Sequence, residues 1–195
     1  MGLLVVAPAV LAQDALLANR LERIRKKYDG IGLAVVAVKN DSIIYEQAFG
    51  LMNREDSVAL RPGDVFRIAS VSKTFVATAI MQLVEEELLS LDDDVNRFLD
   101  FRVRNPRFPE VAITLKMLLS HRSSLNDSQG RNSFDVLDSV ANPNQALCYN
   151  DCAPGDAYDY CNQGYNLLGA VIERVANKRF DEYIREHIMI PMRLH

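Results

Sequence analysis

Residues 66–75 read Phe66-Arg67-Ile68-Ala69-Ser70-Val71-Ser72-Lys73-Thr74-Phe75, and an apolar-periodic run opens inside them. From Ser72 to Leu89, the residues Phe75, Val76, Ala79, Ile80, Leu83 and Val84 form one continuous stripe, which predicts a helix buried on that face. Ser70 and Lys73 are nearly one helical turn apart, so they project from the same side of its opening. A free serine is a weak nucleophile near neutral pH, and an amine held against its hydroxyl is one way to activate it. The backbone N–H groups of that turn lack intrahelical acceptors and favour negative charge beside the serine. By chance alone such a pair arises about once in a chain of this length, and then means an N-capping serine with a surface lysine. Its weight depends on what surrounds it.

Upstream, Leu16, Leu17, Leu21 and Ile24 recur at helical spacing between Asp14 and Tyr28, with Asp14 as the expected cap and Gly30 and Gly32 as the stop. Leu33 to Val38 is a β-branched run, Ser42 to Phe49 is a partly alternating one, and Asn40-Asp41 between them suits a hairpin turn. Two strands alone are marginal in water, but a helix laid across one face makes them credible. Downstream, Leu115 to Leu119 predicts a short helix. Phe134 to Val140 predicts another, inside a polar region running from His121 to Gly155. Gly164 to Asn177 is periodic again, and Phe180 to Ile190 forms a last helix that Pro191 stops. The fold class expected is α+β.

The 195 residues, 49% hydrophobic and 25% charged, are ordinary globular material. With a net charge of −4 and no basic stripe interleaved with aromatics, nucleic acid is not an expected partner, nor is an anionic membrane surface. Within residues 1–13, the apolar run Leu3 to Ala12 is too short to span a bilayer. Val10-Leu11-Ala12 before Gln13 fits an export cleavage site, but the first basic residue is Arg20, so a positive leader is missing. The segment reads as a truncated export signal or a loose apolar tail, with residues 14–195 as the folded part. No cysteine stands at the cleavage point, so a lipid anchor there has no support.

Around this frame the ordered motifs resemble the serine β-lactamase and penicillin-binding protein superfamily, nearest its branch of class C β-lactamases, DD-peptidases and related esterases. The segments that carry it are Phe66–Phe75, Met81–Glu86, Leu91–Val95, Ile113–His121 and Pro154–Gly169, the last containing Tyr160-Cys161-Asn162. The resemblance runs in consistent order from about Leu16 to the end. It implies a β-lactamase/transpeptidase-like α+β fold and a serine acyl hydrolase that attacks a β-lactam, a peptidoglycan D-peptide or an ester through an acyl-serine. Ser70 would be the nucleophile, Lys73 and Tyr160 the base and proton donor, and Asn162 the residue that holds Lys73 and meets the substrate carbonyl. Which of Lys73 and Tyr160 acts first stays open. A carboxylesterase of the same fold, or a catalytically silent binding relative, is the alternative. No cofactor or metal is implied, the partner is a small molecule or cell-wall peptide, and the location implied is the bacterial periplasm or exterior.

Members of this superfamily add later strands that carry a third motif and half of the oxyanion hole. Since the pattern here stops at His195, the expectation is an N-terminal half of the catalytic domain, nearly inactive and with an uncovered strand edge. The segment from His121 to Leu125 has Ser124 where glycine is usual, which questions the backbone there; His121 itself is read as structural. Cys148, Cys152 and Cys161 without a fourth ligand make a poor zinc signal. In an exported chain one pair of them would form a disulfide. Asp92 to Asp94 read as acidic residues between helices that cap or face water rather than as a cation site.

Overall fold

The computed structural model describes the backbone of residues 7–194, with side chains from residue 15 onward. The chain divides into two compact units, one ending at Arg67 and the other beginning at Ile68.

In the first unit, helix α1 (Ala7–Lys27) precedes an antiparallel sheet ordered β1 (Gly32–Lys39), β2 (Ser42–Asn53) and β3 (Val58–Ala59). Asn40 and Asp41, at φ 50° and 59°, both hold the left-handed conformation of the turn whose twist suits a two-residue hairpin. The register then pairs Lys39 with Ser42 and Gly32 with Gly50, with an irregularity at Ala37/Val38. Gly50 has φ 77°, and a Cβ there would stand 2.3 Å from the Ile31 carbonyl oxygen, so only glycine fits. Arg25, Lys26 and Lys27 occupy the last turn of α1, at the negative end of its dipole. From there Arg25 Nη1 donates to the Gly30 carbonyl at 2.6 Å, tying the helix end to the approach of β1.

Two expectations change here. Asp14 lies inside α1 rather than at its cap, because the helix already starts at Ala7. The strand β3 was not foreseen, since two residues are too few to show alternation. Residues 1–6 of the candidate export segment, and every side chain of that segment, lie outside the described residues. Among the described residues β1 pairs only with β2, so its other edge carries no partner strand.

The second unit has its own core. Ala79, Ile80 and Leu83 of α2 (Ser72–Glu85), Leu115 and Leu118 of α3 (Leu115–Leu119), and Leu167, Leu168, Val171 and Ile172 of α4 (Asn162–Ala176) bury together with Tyr183 of α5 (Phe180–Ile184). The apolar stripe that predicted α2 therefore does face the core, and α2 packs against both α4 and α5. It ends at Glu85, short of the expected Leu89. Glu87 turns left-handed at φ 58°, its N–H reaches the Val84 carbonyl, and the Leu88 N–H reaches that of Leu83, both at 3.0 Å. This double bond pattern closes a helix on a hydrophobic residue, so the apolar period outruns the helix by design of the cap. Thr114 caps α3, accepting from the Met117 N–H. The helix expected at Phe134–Val140 is a single 3₁₀ turn, Phe134–Leu137, and the last helix passes into a π-turn, Arg185–Met189, before Pro191. Asp94 caps the turn Val95–Arg97 and pairs with Arg104, Asp93 accepts the Ser90 N–H and pairs with Arg97, and Asp92 is exposed. Among the described residues no helix is long and apolar enough to cross a membrane.

Candidate active site

Ser70 sits in a 3₁₀ turn, Ala69–Val71, that runs directly into α2. Because α2 is packed in the core, the serine has a rigid mount. Ala69 before it has φ 44°, a left-handed conformation that costs about 1–2 kcal/mol for a residue with a Cβ. Such strain persists only where the surrounding structure fixes the backbone.

Tyr160 arrives from the extended segment that precedes α4. Its phenol oxygen is 2.8 Å from Ser70 Oγ. Lys73 Nζ donates to Ser70 Oγ at 3.3 Å and to Asn162 Oδ1 at 2.8 Å. The same ammonium lies 4.9 Å from the centroid of the Tyr160 ring and 5.5 Å from that of Tyr165, a cation between two aromatic faces. All four residues nominated from the sequence thus converge within one unit. The neighbouring Lys73 ammonium, then the Ser70 hydroxyl, hold the Tyr160 phenol below its ordinary range against a smaller opposing effect of burial. Tyr160 is 43% exposed, so the cluster is open to an incoming molecule.

Two supporting residues were not anticipated in these roles. The sequence reads His121 as structural, and its ring packs tilted against Tyr160 at 4.4 Å between centroids and against Tyr165 at 5.1 Å. Its Nδ1 accepts the Cys161 N–H at 3.2 Å, which leaves the ring proton on Nε2. Burial first, and the Lys73 cation second, hold the imidazole below its ordinary pKa. Asp127 was not nominated at all. Its carboxylate accepts the Asn162 Nδ2–H at 2.7 Å, the backbone N–H groups of Asn162 and Gln163 at 3.0 Å, and the Cys161 thiol at 3.3 Å. Helix α4 has no capping side chain at Cys161, and Asp127 supplies the cap from a distant loop. That missing local cap was the one sequence signal pointing to an acceptor from elsewhere.

The usual glycine position does matter: Ser124 adopts φ 61°, the left-handed region that favours glycine, and its Oγ accepts from the buried Asn105 amide at 3.1 Å. The disulfide expected for an exported chain is not formed, since Cys148, Cys152 and Cys161 are all free thiols. Two of them have other partners: Cys148 Sγ donates to the Val136 carbonyl and Cys161 Sγ to Asp127. Burial pushes the Cys161 thiol up to about 12, so it remains protonated beside the site.

The Beta-lactamase family model matches residues 17–195. Penicillin-binding protein 4 of Amycolatopsis lactamdurans is 31% identical over 185 residues, which are 91% of this chain and 47% of that protein. Among solved structures, the octameric penicillin-binding protein homologue from Pyrococcus abyssi superposes with a TM-score of 0.75 at 29% identity, over 91% of this chain and 42% of that one. EstCE1, described as a hydrolase with promiscuous acyltransferase activity, superposes at 0.74 with 24% identity, covering 94% of this chain and 53% of its own, a likeness of fold. The chain therefore spans about half the length of the proteins it matches. The expected β-lactamase/transpeptidase-like α+β fold is the one these neighbours share, and the chain belongs to the Beta-lactamase family.

Proposed function

We propose that this chain carries the nucleophilic part of a serine acyl hydrolase of the penicillin-recognising type. The observation that supports it most is the position of Ser70 Oγ, within hydrogen-bond reach of a phenol at 2.8 Å and an amine at 3.3 Å. In this reading Tyr160, as phenolate, takes the Ser70 proton while Oγ forms a bond to the carbonyl carbon of an amide or ester. The same phenol then returns that proton to the departing nitrogen or oxygen as its bond to carbon breaks, leaving an acyl-serine. Water, deprotonated by Tyr160, later attacks the acyl carbon, and the phenol passes that proton to Ser70 Oγ as its bond to the acyl carbon breaks. Lys73 stays the cation that favours the phenolate, anchored on Asn162 Oδ1. The shorter contact and the depressed phenol favour Tyr160 over Lys73 as the base.

The Ser70 backbone N–H, in the opening turn, serves as one oxyanion donor. Removing one such donor typically costs about 100- to 1000-fold in turnover, because both acylation and deacylation pass through an oxyanion. The substrate is a β-lactam or a peptidoglycan D-peptide, which places the protein outside the cytoplasm; a simple ester is the second reading. Labelling with a fluorescent penicillin and with a fluorophosphonate, beside Ser70→Ala, tests both. Penicillin label lost in Ser70→Ala supports the first reading, and fluorophosphonate label alone supports the esterase. Label that survives the substitution removes Ser70 as nucleophile.

A further inference from the structure

The contacts around Asp127 carry a consequence for Lys73. A primary amide has one acceptor atom and two donor hydrogens, so its two ends are not interchangeable. Asn162 Nδ2 points at Asp127 Oδ2, 2.7 Å away, and its Oδ1 therefore faces Lys73 Nζ at 2.8 Å. Rotating the amide by half a turn would set its NH₂ against the ammonium and its oxygen against the carboxylate. Both contacts would then be repulsive. The groups from the start of α4 that meet Asp127, namely the Asn162 amide, the Asn162 and Gln163 backbone N–H groups and the Cys161 thiol, are all donors, which suits an ionised carboxylate alone. Arg131 on the same loop approaches Asp127 Oδ2 only to 3.8 Å.

We propose that Asp127 is a positioning residue for Ser70 chemistry: it fixes the Asn162 amide so that Oδ1 holds Lys73 within reach of Ser70. The inference rests on the serine hydrolase reading above. The loop that bears Asp127 is itself stapled to α4, since Gln163 Nε2 donates to the Ser133 carbonyl at 3.0 Å and Asn166 Nδ2 to that of Arg131 at 2.6 Å. The carboxylate thus has little freedom to follow the amide if it turns.

The test is the second-order rate of Ser70 labelling by a fluorophosphonate in the wild-type chain, Asp127→Ala, Asn162→Ala and the double variant. Each single variant is expected to slow labelling by about 10- to 100-fold, the scale seen when a partner that orients a metal-binding side chain is removed. If Asp127 acts through Asn162, the double variant is no more than about threefold slower than the slower single one. Losses that multiply would reduce Asp127 to a helix cap and overturn the proposal, as would a wild-type rate in Asp127→Ala. Asp127→Asn guards against misfolding, because its one oxygen still serves the backbone N–H groups; it is expected to be as slow as the alanine variant, and a wild-type rate overturns the proposal. Absence of Ser70-dependent label in the wild-type chain would instead sink the hydrolase reading. The positioning claim is then decided by the ¹⁵N side-chain resonances of Asn162, identified by their loss in Asn162→Ala. Asp127→Asn must shift them and speed their hydrogen exchange; unchanged resonances refute it.

Discussion

Replacing Tyr160 by phenylalanine takes one oxygen from the site and leaves the ring. The oxygen stands 2.8 Å from Ser70 Oγ, whereas the ring packs against His121 at 4.4 Å and lies 4.9 Å from the Lys73 ammonium. Phenylalanine keeps those ring contacts, and the lost hydrogen bond is at an exposed position, so folding should lose about 1 kcal/mol at most. The chemical loss is larger. A positioned general base contributes about 100- to 10,000-fold, equivalent to about 3–5 kcal/mol in the barrier. Ser70 labelling by a fluorophosphonate, followed by fluorescence polarisation from about pH 5 to 10, separates the two effects when a thermal melt is run beside it. Since Lys73 and Ser70 depress the phenol, the wild-type rate should climb with pH through a midpoint below the ordinary phenol value of about 10. The phenylalanine variant should lose that climb together with at least about two decades of rate. A variant labelling within about threefold of wild type at every pH would refute the assignment and leave Lys73 as the base.

Three further outcomes are expected. Because burial and then Lys73 depress His121, the unfolded chain protonates it first. The stability it confers is full above about pH 6.5 and lost as pH falls through the folded value. Melting temperature should thus drop between about pH 7 and pH 5, and the drop should shrink in His121→Asn; an unchanged slope would refute this. Ser124→Gly relieves a left-handed backbone but gives up an acceptor for Asn105 and adds unfolded-state entropy, so urea denaturation should move by less than about 1 kcal/mol. Ser124→Ala keeps the strain and loses the acceptor, and should cost about 1 kcal/mol or more; equal stability of the two variants would contradict that balance. Leu168→Ala, at a fully buried position of α4, should destabilise by about 2–5 kcal/mol, and a loss under about 1 kcal/mol would mean the core is looser than described.

Sequence alone determined the parts whose cause is local. The stripe from Phe75 to Val84 dictated a buried helix, Asn40-Asp41 a hairpin turn, and the spacing of Ser70 and Lys73 a shared face, because backbone periodicity and turn chemistry act over a few residues. The pairing of Tyr160-Cys161-Asn162 with that face was legible only through resemblance, since no local rule joins segments so far apart. What the tertiary structure decided is whatever closes across the chain. Glu87 turning left-handed ended α2 before its apolar stripe did, and Asp127 capped a helix whose own cap position offers no side chain. Asp127 also chose which end of the Asn162 amide meets Lys73. The partner of a donor or acceptor is set by three-dimensional proximity, and proximity between distant segments exists only once the core of α2, α3 and α4 has packed.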